Sequence, residues 1–263
     1  MRYFARIKYN GTHFHGWQSQ KNTPETVQGK IENALAVFLP DNPEIVGCGR
    51  TDTGVHASDY TFHFDTVSDD PGLIKYKLNS ILPNSIVVEN IIQVHDDAHA
   101  RYDASLRAYE YHLLERRDPF RENTAYHLPT LNRLALKDFQ SAAALILDYE
   151  DFEPFCKNGS DEKTKKCTIY KSQWLQTENG FVFKIEANRF LRGMIRLIVG
   201  MCINVARGQV SLEQVKHALE TRTRLIKDWS VPAKGLFLSK VRYDYIKGNS
   251  YMYSNVNQIN KSE

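Results

Sequence analysis

Two spacings of apolar residues alternate along this chain, and their order restricts the fold more than any other feature. Residues 2–9 (RYFARIKY) alternate with the period of a half-buried strand and stop at Asn10-Gly11, a turn signal. Beyond Thr23-Pro24, apolar residues at Val27, Ile31, Ala34, Leu35 and Phe38 recur at helical spacing, which predicts a helix with Thr23 as N-cap and Pro24 at its first position. Residues 44–48 and 61–65 read as strands, 73–82 as a helix and 86–94 as a strand. A second round begins at residues 107–114 (RAYEYHLL) and continues with an amphipathic helix over 134–147. A hairpin follows, 168–175 and 180–187, turning at Glu178-Asn179-Gly180. The spacing then predicts a long helix from about 189 to 207. Ser211 opens another with Gln214 three residues on, and 237–243 forms a last strand.

This order predicts an α+β fold of two related halves, with mainly antiparallel sheets flanked by helices and a cleft between the halves. The halves are expected at residues 1–104 and 105–246, followed by a loose tail rich in Asn and Ser at 247–263. With no short tandem repeat, any duplication is one of topology. Neither a Gly-x-Gly-x-x-Gly run nor a Walker lysine loop is present, which counts against a dinucleotide or nucleoside-triphosphate enzyme.

Composition narrows the class further. Charged residues make up 25% of the chain and no apolar run approaches a bilayer span, so a membrane partner is not expected. The N-terminus reads as a first strand and not as a signal peptide. Four cysteines (Cys48, Cys156, Cys167, Cys202) lie scattered without a C-x-x-C pair, so neither a disulfide framework nor a zinc site is indicated, and a cytoplasmic location is expected. A net charge of +3 does not announce a nucleic-acid partner. Its distribution is more informative: Arg101, Arg107, Arg116, Arg117 and Arg121 crowd one stretch, and Arg189, Arg192 and Arg196 another. Any one run reads as a solvated face; together they permit a basic cleft on a nearly neutral body.

Between the strand-like segments 44–48 and 61–65 lies GRTDTGVHA, residues 49–57. Its Asp-Thr-Gly also marks aspartic proteases, but their mechanism needs two carboxylates sharing one proton, and this chain has a single such tripeptide. A turn-closing role for Asp52 is the plain alternative. Against it stands Arg50, which projects to the same side as Asp52 in an extended segment and should keep that carboxylate ionised. An ionised carboxylate on a loop, with His56 close by, suits a nucleophile better than a general acid.

Six segments in chain order carry a resemblance. GRTDTGVHA is similar to the Arg-Thr-Asp-x-Gly-Val-His signature of the tRNA pseudouridine synthase A family. Residues 9–18 resemble its opening segment, and residues 98–111, containing Ala100-Arg101 and Arg107-Ala108-Tyr109-Glu110-Tyr111, resemble a second. Residues 151–170, then 187–200 with Met194-Ile195-Arg196, then 234–238 (KGLFL) resemble the remaining three. The resemblance runs from Tyr3 to about Tyr243.

It implies isomerisation of uridine to pseudouridine in the anticodon stem-loop of tRNA, at tRNA positions 38, 39 or 40, by base flipping and without cofactor or metal. It also implies a homodimer. By the same resemblance Asp52 is the nucleophile, Arg50 displaces the base and occupies its space, and Arg196 pairs with Asp52. Tyr109 stacks on the uracil, while Arg101 and Arg117 contact the tRNA backbone. Periodicity alone places Arg189, Arg192 and Arg196 on one face of the long helix, opposite a core stripe. Asp59 and Tyr60 stand where the family often has Gly and Gln, and Gly193 stands for a common histidine. His95-x-x-x-His99 has helical metal spacing but no third ligand, and reads as surface. The rival reading is a non-catalytic RNA-binding protein on the same scaffold, which needs basic and aromatic surfaces but no ionised aspartate.

Overall fold

The structure is a computed structural model that describes residues 1–157, 159, 163–227 and 229–246. The expected tail from Lys247 lies outside them. The strands are β1 (Arg2–Tyr9), β2 (Val46–Gly47), β3 (His56–Asp65), β4 (Ile86–Val94), β5 (Ala104–Leu114), β6 (Tyr126–His127), β7 (Ile169–Thr177), β8 (Gly180–Ala187) and β9 (Leu236–Tyr243). The helices are α1 (Val27–Ala36), α2 (Pro71–Ile81), α3 (Leu136–Leu145), α4 (Met194–Ala206) and α5 (Leu212–Thr221).

One sheet runs in the order β4-β1-β3-β9-β5-β8-β7, with β2 added beside β3 and β6 beside β5. The chain is α+β and mostly antiparallel, and its two halves repeat one plan. In the first, β1, α1, β2, β3, α2 and β4 follow in sequence; in the second, leaving aside the two-residue β6, β5, α3, β7, β8, α4, α5 and β9 do. Each half begins with a strand that becomes central, flanked by its own third and last strands: β1 lies between β4 and β3, and β5 between β9 and β8. Each half also has its own core. Trp17, Ile31, Leu35, Tyr60, Phe62, Phe64 and Leu78 pack the first. Phe139, Phe152, Trp174, Phe183, Met194 and Ile198 pack the second. Each such side chain stabilises the fold by roughly 1.5–3 kcal/mol through burial.

The halves join where β3 and β9 run parallel for two residue pairs, His56 with Phe237 and Ala57 with Leu238. Beyond that pairing Asp59 takes over. Its buried carboxylate accepts from the Val241 N–H at 3.1 Å and from Arg6 Nε at 2.8 Å. Its side chain supplies the acceptor that a longer ladder would have supplied.

Several boundaries differ from the periodicity. α1 starts at Val27 and its cap is Thr26, whose hydroxyl accepts from Gly29 N at 3.2 Å. Thr23 instead forms an isolated bridge with Gln20 and accepts from Glu25 N, closing a turn ahead of the helix. The strand expected over 44–48 is only Val46–Gly47, and β3 begins at His56, so the last two residues of GRTDTGVHA are already in the sheet. The largest correction concerns the long helix. It begins at Met194, because Gly193 has φ 71°, a left-handed backbone that ends the connection from β8 and cannot continue a helix. Arg189 and Arg192 therefore precede α4, and of the three arginines assigned to one helical face only Arg196 lies on it. The Ser211–Gln214 capping box is present as expected.

Candidate active site

Residues 48–55 leave β2, turn and enter β3 at the seam between the halves, and several backbone and side-chain groups anchor this loop to the segments around it. Cys48 N donates to Thr61 O, and the Tyr60 hydroxyl donates to Gly49 O while its ring stacks on Trp17 at 4.0 Å. Trp17 N donates to Thr51 O at 3.2 Å, and the Thr51 hydroxyl bonds the Tyr9 hydroxyl at 2.8 Å. Gly54 N reaches Phe14 O, and Val55 N closes the turn onto Asp52 O at 3.1 Å. The opening segment can lie this close because Gly11 lacks a side chain: a Cβ there would meet Val55 O at 2.0 Å. Residues 9–18 and 49–57, far apart in sequence, thus form one layer.

Asp52 stands half-buried at the tip of this turn. Its Oδ2 accepts from Arg196 Nη1 at 3.1 Å. Arg196 reaches it from the first turn of α4 and is itself fixed, since its Nε donates to Val231 O at 2.7 Å. The carboxylate comes from one half and the guanidinium from the other. The arginine expected beside Asp52, Arg50, is placed differently: it is exposed and makes no side-chain hydrogen bond or ion pair among the described residues. The role given to Arg50 in holding that carboxylate belongs to Arg196. In a partly dry site one such charge-assisted bond is worth about 1.5–3 kcal/mol.

Tyr109 lies on β5, opposite Leu238 of β9, which is in turn opposite Ala57 of β3, so it sits across the seam from the end of the nucleophile motif. Its ring meets Phe190 edge-on at 5.2 Å. Burial, then the neighbouring Cys48 and Asp52, push its phenol well above the usual value, so the ring stays neutral at physiological pH. Cys48 is the other nucleophilic side chain here, and burial raises its thiol to about 11, which leaves it inert beside the carboxylate.

His56 is a seam residue. Its Nδ1 accepts from Gly11 N at 3.0 Å and its Nε2 contacts Lys234 O at 3.2 Å, which places the ring proton on Nε2. The ring stacks on Phe237 at 4.5 Å, and burial lowers its pKa. Arg101 and Arg117 are exposed and stand apart from Asp52. The Arg101 guanidinium lies 5.7 Å from the centroid of the Tyr102 ring, and Arg117 lines a cavity of about 520 Å³ with Arg121, His127 and Lys234. His95 bonds Asp97, and His99 packs on Tyr102.

One residue that periodicity did not single out is central to this geometry. Arg107 donates to Cys48 O from Nε (3.2 Å) and Nη2 (2.7 Å), to Ala104 O (3.2 Å) and Asn188 O (3.1 Å) from Nη1, and to Arg101 O from Nη2 (2.6 Å). It ties the start of the nucleophile loop to β5 and to the exit of β8. Only its place two residues before Tyr109 hinted at this.

A single carboxylate on a braced loop meets a guanidinium from the opposite half, with an aromatic ring across the seam and no second carboxylate bonded to this pair among the described residues. The sequence profile of the tRNA pseudouridine synthase family matches residues 5–103 and 142–244. The chain is 41% identical over 244 residues to tRNA pseudouridine synthase A of Parabacteroides distasonis, covering 92% of this chain and 96% of the relative. It is 40% identical over 245 residues to the protein of that name in Bacteroides fragilis, with the same coverage. It is also 35% identical over 249 residues to that of Bacillus subtilis, covering 93% of this chain and 100% of the relative. The chain belongs to the tRNA pseudouridine synthase family.

Proposed function

We propose that the protein converts uridine to pseudouridine in the anticodon stem-loop of tRNA, with Asp52 as nucleophile. The observation that carries this reading is the Asp52–Arg196 pair at 3.1 Å, held at the seam on a loop whose backbone is bonded on both sides. The target base is inside a stem or stacked loop and must leave it to be reached. Arg50, exposed and uncommitted, is available to enter the space the base vacates. Tyr109 offers its ring to the extruded uracil. Asp52 then attacks covalently, the N1–C1′ bond breaks, the base turns, a C5–C1′ bond forms, and the bond to Asp52 breaks so that the carboxylate is restored. The hydrogen on C5 leaves as a proton and N1 gains one, so the reaction is redox-neutral. Arg196 holds the carboxylate aimed until the substrate arrives, and a guanidinium serves because it cannot be deprotonated.

Arg101 and Arg117 supply phosphate contacts on the approach to the cleft. The functional unit is a homodimer acting in the cytoplasm, with residues 1–104 and 105–246 as its two halves; among the described residues no helix is long and apolar enough to cross a membrane. The deciding test uses tRNA labelled with tritium at C5 of uridine. The intact protein is expected to release tritium to water and Asp52→Asn to release none. Binding of tRNA without release by the intact protein would instead establish a non-catalytic RNA-binding role.

A further inference from the structure

We infer that a cationic strip formed by Lys157, Arg189 and Arg192 is the subsite for tRNA phosphates beside the target nucleotide, and that Gly193 is the residue that admits Lys157 to it. The inference rests on the tRNA-modifying reading above and names which part of the substrate this surface holds.

Three separate segments converge just ahead of α4. Lys157 N donates to Arg192 O at 3.0 Å, which ties the loop after residue 155 to the connection from β8. Arg224 Nη2 donates to Cys156 O at 2.7 Å from a third segment. At this junction Gly193 has φ 71°, and a Cβ there would lie 2.8 Å, 2.8 Å and 2.9 Å from Cδ, Cγ and Cε of Lys157. The aliphatic stem of Lys157 therefore occupies the space a side chain at 193 would fill. The absence of that side chain lets the Lys157 stem pass next to the residue that follows Arg192.

Lys157, Arg189 and Arg192 make no side-chain ion pair or hydrogen bond among the described residues. Other cations of the protein are committed, as Arg6 is to Asp59 and Lys184 to Glu110. Lys157 and Arg192, tied by that backbone bond, and Arg189 three residues before Arg192 bring like charges together with no ion pair among the described residues, an arrangement stabilised when an anion lies across them. Their position selects the anion. Arg196, which holds Asp52, is three residues beyond Gly193, one helical turn away. The nucleotide at Asp52 is joined to its neighbours by phosphodiesters, and those next to an extruded base are the negative charges nearest this strip. Cations in this place bind backbone and not base, so they position the strand without reading its sequence.

The test measures tRNA affinity across a salt series, with tritium release followed in parallel. Lys157→Ala and Arg192→Ala are each expected to reduce the slope of log affinity against log salt by about 0.7–0.9, the release of roughly one counterion. Affinity should fall several-fold at physiological salt, with the loss in turnover carried mainly by KM. Lys137→Ala, on the exposed face of α3, should change neither. Gly193→Asn tolerates the left-handed backbone while displacing the Lys157 stem, and should reproduce the Lys157→Ala slope. Combined with Lys157→Ala it should add nothing further. Wild-type slopes in Lys157→Ala and Arg192→Ala, in a protein that turns over tRNA, overturn the strip alone. Additive losses in the double variant overturn the role of Gly193. A wild-type protein that releases no tritium overturns the functional reading, while its salt slopes still decide the strip.

Discussion

The same connection occurs twice in this fold, between the second and third strands of each half, and the two copies have opposite character. In the second half it is Glu178-Asn179, a tight hairpin turn between β7 and β8 whose only outside bond among the described residues is from Glu115 N to Asn179 O. In the first half it is residues 48–55, drawn out across the seam and carrying Asp52. A comparable divergence separates the helices that follow. α2 presents Leu73 and Tyr76 to solvent, whereas α4 sends Arg196 to the carboxylate. The repeat supplies two equivalent scaffolds, and on the proposed function the chemistry falls where one copy carries the longer loop and the other furnishes its counter-charge. A loop can be lengthened in this way at small entropic cost provided its backbone finds partners, which residues 9–18 provide.

The comparison is broken most directly at the two connections themselves. Asp52→Asn should lower turnover by at least about 10⁴-fold, as loss of a nucleophile does, with tRNA affinity retained. Glu178→Gln at the equivalent turn should stay within about twofold of wild type. Tritium-release rates with both proteins check the pair, and comparable losses at the two sites would remove the basis for assigning the chemistry to one half.

Next in size is the counter-charge. Arg196→Lys keeps a cation on α4 but cannot serve both Asp52 Oδ2 and Val231 O from a planar fork. Turnover should drop about 10²–10³-fold, the scale of losing one placed electrostatic partner. The loss should appear in kcat under single-turnover conditions, since Arg196 faces the carboxylate and not the strand.

Arg107 sharpens the same contrast from behind the loop. Arg107→Lys leaves most of the four carbonyls it serves without a donor, including Cys48 O. Each buried carbonyl left unsatisfied costs about 1–3 kcal/mol, partly recovered by water. A drop in unfolding free energy of about 2–3 kcal/mol is expected, with a turnover loss near tenfold. Chemical denaturation and kinetics on one preparation separate the two effects.

These residues also mark where sequence reasoning ends. The bounds of β4 and the Ser211–Gln214 box were legible because periodicity and capping are local. Asp52 was legible because its motif is contiguous. The left-handed break at Gly193 was not, since the apolar period runs on through it and a glycine alone does not announce its φ. Thr23 and Thr26 are both competent caps; contacts with Gln20 and His15 decide between them. The pairing of Arg196 with Asp52 is a tertiary fact that the resemblance carried, whereas proximity in sequence placed Arg50 beside the carboxylate. Arg107 and Asp59 hold backbone groups 59 and 182 residues away, which no window can read.

A contrast that leaves turnover at neutral pH untouched concerns acid, and it again separates the halves. The two fully buried histidines among the described residues, His56 and His63, both lie on β3. His63 Nδ1 accepts from Ala100 N at 3.1 Å, so protonation there destroys a bond as well as burying a charge. Burial first, then Arg2 and His99, lower its pKa to about 4; Asp65 and Asp103 oppose them. An unfolded histidine titrates near 6.5. Between those values the unfolded chain binds a proton that the folded chain refuses, so folding stability falls as pH falls. The stability is complete above about 6.5 and is lost toward 4, at most about 1.4 kcal/mol per pH unit and about 3 kcal/mol in all. His56, shifted the same way, steepens the decline. Amide hydrogen exchange across this range should show β1, β3 and β4 losing protection before β7 and β8. Replacing His63 by Gln should flatten the pH dependence while leaving the exchange of the second half unchanged. Equal acid sensitivity in the two halves would show that the sheet unfolds as one unit across its two-residue seam.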